Sequence, residues 1–112
     1  MRNDRERLLD ILEAIDKIEQ HAGSDIDAFA DDEMQQVWVI HHLQIIGEAA
    51  YGLSQGFKAV HPQIPWEQII GMRHVLVHGY FELDLAIVWA VIEKDLPPLR
   101  SSVEVILQNL KP

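Results

Sequence analysis

Apolar residues recur at helical spacing along most of the chain, and this pattern constrains the fold more than any other feature. The first stripe consists of Leu8, Ile11, Leu12, Ile15 and Ile18. A spacing of three or four residues places such side chains on one face of an α-helix. No segment alternates polar and apolar residues for long enough to predict a strand. The sequence therefore predicts an all-α protein.

Capping residues and glycines mark where the first helices begin and end. The first helix begins at Asn3 or Asp4, either of which can cap free backbone amides, and it ends at Gly23. A short capped helical turn follows at 24–29, and the longest helix runs from 31 to 54.

Prolines divide the second half of the chain. The prolines at 62 and 65 predict a loop over 61–65, and the next helix runs from Pro65 or Trp66 to about His78. Asp84 can cap a further helix, which the prolines at 97 and 98 end or kink before a last amphipathic segment. Five or six helices with short loops predict an up-and-down bundle that forms a single domain over 1–112.

The longest predicted helix has two apolar faces. One face contains Val39, Leu43, Ile46, Ala50 and Leu53, and the other contains Trp38, Ile45 and Ala49. A helix with two apolar faces packs against more than one neighbour, or against another copy of the chain. Gly47 and Gly52 allow another backbone to approach this helix closely.

Composition narrows the classes of function. The chain carries 9 Lys and Arg against 18 Asp and Glu, a net charge of −9, and no Cys. Disulfides and thiolate metal sites are therefore excluded, and broad nonspecific binding to nucleic-acid phosphates is disfavoured. The apolar runs are too short to span a membrane, and the charged start lacks the apolar core of a signal peptide. We expect a cytoplasmic protein.

One arginine stands out because cations are scarce in the middle of the chain. Between residues 18 and 93 the positively charged residues are Lys58 and Arg73. Arg73 shares an otherwise apolar segment with His74, His78 and Tyr80. Because a buried unpaired charge costs several kcal/mol, Arg73 must find an anion. Histidine suits proton transfer near neutral pH and arginine suits phosphate, so this group is a candidate site for phosphodiester chemistry.

Purely structural roles and metal binding remain open alternatives. Arg73 can pair with Glu48 or Glu67 inside the bundle, and His78 can sit as a cation at the negative end of its helix. His74 and His78 are four residues apart and could ligate a metal from one helix face. The chain has no His-Glu-x-x-His string, however, and we predict no metal site.

The segment from Gly71 to Tyr80 resembles the Arg-x4-His-x-Tyr motif of the HEPN superfamily, and specifically of its HepT-like toxins. The segments Ile46–Ala50, His61–Trp66 and Asp84–Trp89 are also similar to that family and follow in its usual order. His74 is a departure, since family members often carry Asn there.

The resemblance implies a HEPN-like helical bundle that acts as a homodimeric, metal-independent RNA endonuclease without a cofactor. It implies that Arg73 and His78 are catalytic. It also implies a toxin–antitoxin pair, in which a minimal nucleotidyltransferase antitoxin transfers AMP from ATP to Tyr80 and so silences the nuclease. Glu48, which could orient Arg73 across the bundle, and His74 are predicted supporting residues.

The spacing of the two catalytic candidates favours a site shared between two copies. Residues five apart on a straight helix point about 140° away from each other. A two-fold dimer could bring Arg73 and His78 of both copies around one cleft, with Tyr80 at its mouth. The alternative hypothesis is a non-catalytic helical dimer that serves as the partner or substrate-binding subunit of a nucleotidyltransferase.

Overall fold

The computed structural model describes residues 3–21, 25–78 and 84–110, and the regular structure within these ranges is entirely helical. The side chains of Val77 and His78 are outside the description. The elements are α1 (Asp4–His21), α2 (Ile26–Asp31), α3 (Glu33–Gly52), α4 (Gln55–Val60), α5 (Trp66–His78), α6 (Leu85–Ala90), a π-helical turn (Val91–Asp95) and α7 (Leu96–Asn109). The predicted all-α bundle is confirmed.

Helix α1 begins where its sequence predicts. The Asn3 side chain accepts a hydrogen bond from the Glu6 backbone N–H at 2.8 Å, and the Glu6 carboxylate accepts one from Asn3 N–H at 3.4 Å. This reciprocal arrangement satisfies two backbone donors of the first turn. The predicted stripe is buried except for the half-buried Leu12. The predicted end at Gly23 lies outside the described residues.

Helix α3 is the centre of the bundle and runs antiparallel to both α1 and α5. At one end of the α1 contact, Ser54 Oγ donates to Asp4 at 2.7 Å, and towards the other end Trp38 Nε1 donates to the Lys17 carbonyl at 3.1 Å. The first predicted apolar face of α3 is buried in the core. Of the second predicted face, Ala49 is buried, Ile45 is half-buried and Trp38 is exposed, so neighbours within the chain cover that face only in part.

Two elements differ from the sequence predictions. Helix α4 was not predicted, because none of its residues is buried and it therefore leaves no apolar stripe in the sequence. The prolines at 97 and 98 do not end the preceding helix, which continues from Leu85 to Asn109 through the π-helical turn. They lie in the first turn of α7, directly after the π-helical turn, where the hydrogen-bond pattern of the helix changes.

Helix α5 is packed closely on one side only. It lies directly against α3, whereas a cavity of about 440 Å³ separates it from α6 and α7. Met72 and Leu76 line this cavity from α5, and Val88 and Leu99 line it from the opposite side.

Among the described residues, no helix combines the length and the apolar character needed to cross a membrane.

Candidate active site

Helix α5 carries the residues that the sequence singled out. It begins at Trp66, which is buried and donates from Nε1 to the His61 carbonyl at 3.0 Å, so the predicted loop before it is anchored. Arg73, His74 and the backbone of His78 all lie in this helix, and the predicted stop at Gly79 lies outside the described residues. Tyr80 lies outside the described residues.

Gly47 of α3 determines how closely α5 can approach. A Cβ atom added at Gly47 would overlap the Cβ of Arg73, and it would lie 3.2 Å from both the Arg73 Cα and the Ile69 carbonyl oxygen. The predicted close approach at Gly47 is therefore confirmed, and it occurs at the candidate arginine. Three residues earlier in α3, Gln44 Nε2 donates to the Leu76 carbonyl at 3.3 Å, in the last turn of α5. These two contacts fix the position of α5 on α3.

The guanidinium of Arg73 lies over an aromatic ring. Its Cζ atom is 5.6 Å from the centroid of the Tyr51 ring, within the range of a cation–π interaction. The Arg73 side chain is half-buried, and Tyr51 is 64% exposed. Within the described ranges, no carboxylate lies within ion-pair distance of Arg73. Among the described carboxylates, none competes with an anionic ligand for the donors of the guanidinium.

The sequence predicted Glu48 as the residue that orients Arg73, and the structure does not show this contact. Glu48 is exposed on α3, and no ion pair joins it to Arg73. Tyr51 takes the neighbouring position instead and was not predicted. Tyr51 lies four residues after Gly47 and so on the same face of α3, but this spacing alone does not indicate a contact with Arg73.

Of the two histidines in the motif segment, the structure describes His74 in full and His78 only by its backbone. His74 is exposed on α5, and His78 forms the last residue of the helix, but its side chain is outside the described part. On a regular helix, five residues correspond to a rotation of about 140° around the helix axis. Among the described residues, no group of three or more His, Asp or Glu side chains is arranged to hold a metal ion.

A further histidine, His42, is buried at the α1–α3 contact rather than near Arg73. Its Nδ1 lies 2.8 Å from the Trp38 carbonyl, so the Nδ1–H form donates there. Burial lowers the pKa of His42, and the hydrogen bond to the Trp38 carbonyl offsets part of this effect. Burial therefore favours the neutral imidazole, and the contacts of His42 make it part of the packing between α1 and α3.

Comparison with known proteins identifies the family. The family model for "Ribonuclease HepT-like" proteins matches residues 11–106. A Thermococcus cleftensis protein named "Probable ribonuclease HepT" is 38% identical over 104 residues, which cover 92% of this chain and 94% of that protein. "Putative RNase MJ1380" of Methanocaldococcus jannaschii is 36% identical over 100 residues, which cover 88% and 92%. No solved structure matches significantly. The family model spans most of the helical bundle together with Gly47, Tyr51 and the Arg73 helix, and the chain belongs to the HepT-like ribonuclease family.

Proposed function

We propose that this chain is a metal-independent RNA endonuclease that acts as the toxin of a toxin–antitoxin pair, with Arg73 and His78 as its catalytic residues. The observation that carries the proposal is the guanidinium of Arg73, half-buried on the helix of the family motif and without a carboxylate partner among the described residues. A cation in this situation favours an anionic substrate group, and in a ribonuclease that group is a phosphodiester.

The residue types match the requirements of RNA cleavage through the 2′-hydroxyl. The 2′-oxygen must lose its proton and attack phosphorus, negative charge then develops on the non-bridging oxygens, and the 5′-oxygen must gain a proton as its bond to phosphorus breaks. Imidazole can accept or donate these protons near neutral pH. Guanidinium can stabilise the developing charge with several N–H donors. Arg73 and His78 therefore supply the needed groups.

The working form in this proposal is a homodimer. Because Arg73 and His78 diverge around α5, a second copy is needed to bring an arginine and a histidine to one phosphate. The exposed face of α3 carries large apolar side chains near its start, where Met34 is 84% exposed and Val37 48% exposed. Since α3 and α5 are antiparallel, this end of α3 lies near the end of α5 that carries His78. A contact there would place the partner beside the histidine.

Neutralisation is proposed to occur by modification of Tyr80, as the family resemblance implies. A nucleotidyltransferase antitoxin would transfer AMP from ATP to the Tyr80 hydroxyl, with release of pyrophosphate. The added phosphate would be an anion two residues beyond His78 and could compete with RNA for Arg73. Mass spectrometry of the chain after co-expression with such an enzyme would detect the AMP group on Tyr80.

The test of the nuclease is cleavage of RNA by the purified chain and its variants. We expect Arg73→Ala and His78→Ala each to reduce cleavage and growth arrest by at least 100-fold while preserving the fold and the dimer. Arg5→Ala and His61→Ala remove the same side-chain types outside the candidate site and should cleave like the parent. A chelator should leave the parental rate unchanged.

A parent that cuts no RNA, together with variants that lose binding to a nucleotidyltransferase, would instead support the non-catalytic subunit. Loss of cleavage in the chelator would refute metal independence. A monomer that cleaves at the full rate would refute the composite site.

A further inference from the structure

Tyr51 is an exposed aromatic residue beside the candidate phosphate-binding group, and neither the family match nor the motif assigns it a role. It lies in the last turn of α3, 64% exposed, with its ring under the Arg73 guanidinium at 5.6 Å. Large aromatic side chains are normally buried on folding because they carry much apolar surface. An exposed aromatic ring next to a cation is a feature of sites that bind nucleotides, and among the described residues Arg73 has no carboxylate partner.

The charge of the chain makes a contact to the bases important. With a net charge of −9, the chain has little electrostatic attraction for the RNA backbone as a whole. Two more cations lie at this end of α3: the Lys58 ammonium donates to the Ala50 carbonyl at 3.2 Å, and the Arg7 guanidinium lies beside Gly52. Such a small group can neutralise only a few phosphates. The affinity for RNA must then come largely from contacts to the nucleobases. Among these contacts, stacking on an aromatic ring is the strongest that does not depend on the RNA sequence.

We propose that Tyr51 and Arg73 form a nucleotide subsite, in which the Tyr51 ring stacks on a nucleobase while the Arg73 guanidinium binds an adjacent phosphate. The inference rests on the proposed function, because it takes Arg73 as the phosphate-binding group. The geometry supports it through Gly47, which is one helical turn before Tyr51 and brings α5 close enough for the ring and the guanidinium to meet. The hydroxyl of Tyr51 is not required, since stacking uses the face of the ring.

The experiment compares two uncleavable probes. One probe is a 2′-O-methyl oligoribonucleotide. The other has the same sugar–phosphate backbone but carries no nucleobases. Loss of one stacking contact corresponds to about 5- to 150-fold in affinity. We expect Tyr51→Leu to weaken binding of the first probe by a factor in this range and to change binding of the abasic probe by less than twofold. Tyr51→Phe should bind both probes like the parent.

Matched variants separate this subsite from other roles. Val105→Ala also removes exposed apolar surface, but from α7, and should not change binding of either probe. Arg73→Ala should weaken binding of both probes, because both contain phosphates. Equal weakening of both probes by Tyr51→Leu would mean that Tyr51 only positions Arg73, and an altered oligomeric state would assign Tyr51 to an interface between copies. Either result would overturn the inference.

The outcomes also separate this inference from the proposed function. If the parent binds and cleaves RNA but Tyr51→Leu binds the base-containing probe like the parent, the subsite is refuted and the ribonuclease proposal stands. If the parent neither binds the probes nor cleaves RNA, both are refuted.

Discussion

Substitution of Gly47 by Ala tests the link between packing and the candidate site. The added methyl group would overlap the Arg73 Cβ and lie 3.2 Å from the Arg73 Cα and the Ile69 carbonyl oxygen. These neighbours are backbone or are attached directly to it, so they cannot move aside alone. To restore carbon contacts of about 3.5–4.0 Å, α5 must shift from α3 by on the order of 1 Å.

The expected free-energy change follows from two opposing effects. Overpacking of this kind costs about 1–3 kcal/mol. Replacing Gly by Ala inside a helix contributes about 1 kcal/mol of stability. Gly71→Ala is the matched control, because a Cβ there meets nothing within 4 Å and only the favourable effect applies. We therefore expect Gly47→Ala to be less stable than Gly71→Ala by about 1–3 kcal/mol.

Urea unfolding and thermal melting of the two variants measure this difference. For a chain of this size it corresponds to a Tm lower by about 4–12 °C in Gly47→Ala. RNA cleavage by Gly47→Ala should fall by about 10- to 100-fold even where it remains folded, because a misplacement of about 1 Å can have that effect. Equal Tm values for the two variants, with cleavage by Gly47→Ala at the parental rate, would refute the reasoning.

Gly52 provides a second comparison on the same helix. A Cβ at Gly52 would meet the guanidinium of Arg7, which is the mobile end of a long side chain. Because that group can move away into solvent, we expect Gly52→Ala to change the free energy of unfolding by about 0.5 kcal/mol or less. A cost as large as that of Gly47→Ala would contradict the distinction between backbone and side-chain obstruction.

Three further predictions concern pH and salt. Burial lowers the pKa of His42, so the unfolded chain binds more protons than the folded chain as pH falls through the ordinary value of 6.5. The free energy of unfolding should therefore decrease as pH falls through 6.5. Urea titrations at several pH values should show that His42→Gln flattens this dependence. Arg100 of α7 pairs with Asp16 and Glu19 of α1, and these hydrogen bonds raise the pKa of its guanidinium. Since the carboxylates are about half exposed, Arg100→Ala should cost only about 1 kcal/mol, and the loss measured by urea unfolding should shrink in high salt. RNA binding should weaken only slightly with salt, because one or two phosphate contacts give a slope of about −1 in a plot of log affinity against log salt, and a steep slope would show an extended phosphate-binding surface.

The long helices were predictable because their signals are local. The side chain of Asn3 accepts the Glu6 N–H at 2.8 Å and that of Asp84 accepts the Ala86 N–H at 2.9 Å, so both predicted N-caps form the expected hydrogen bonds. Helix α4 has no buried side chain and thus no periodic signal. The sequence pattern does not reveal the π-helical turn before the prolines, since either a break or a continuous helix is compatible with them.

The candidate site was predictable only where its residues share one element. Arg73 and His78 lie on one helix, and the motif located them together. The role of Tyr51 depends on the register between α3 and α5, which is set by the Gly47 contact and cannot be read from residues distant in sequence. The same register leaves Glu48 exposed beside the site without an ion pair to Arg73.

The cavity on one flank of α5 has a consequence for local stability. Helix α1 is enclosed by α3 and α7, whereas α5 is secured chiefly by α3. Detaching α5 exposes less additional apolar surface than detaching α1, so its backbone amides should exchange with deuterated solvent first. The helix that carries the arginine is thus held by fewer neighbours than α1, so we expect it to open locally while the α1–α3 pair keeps its shape.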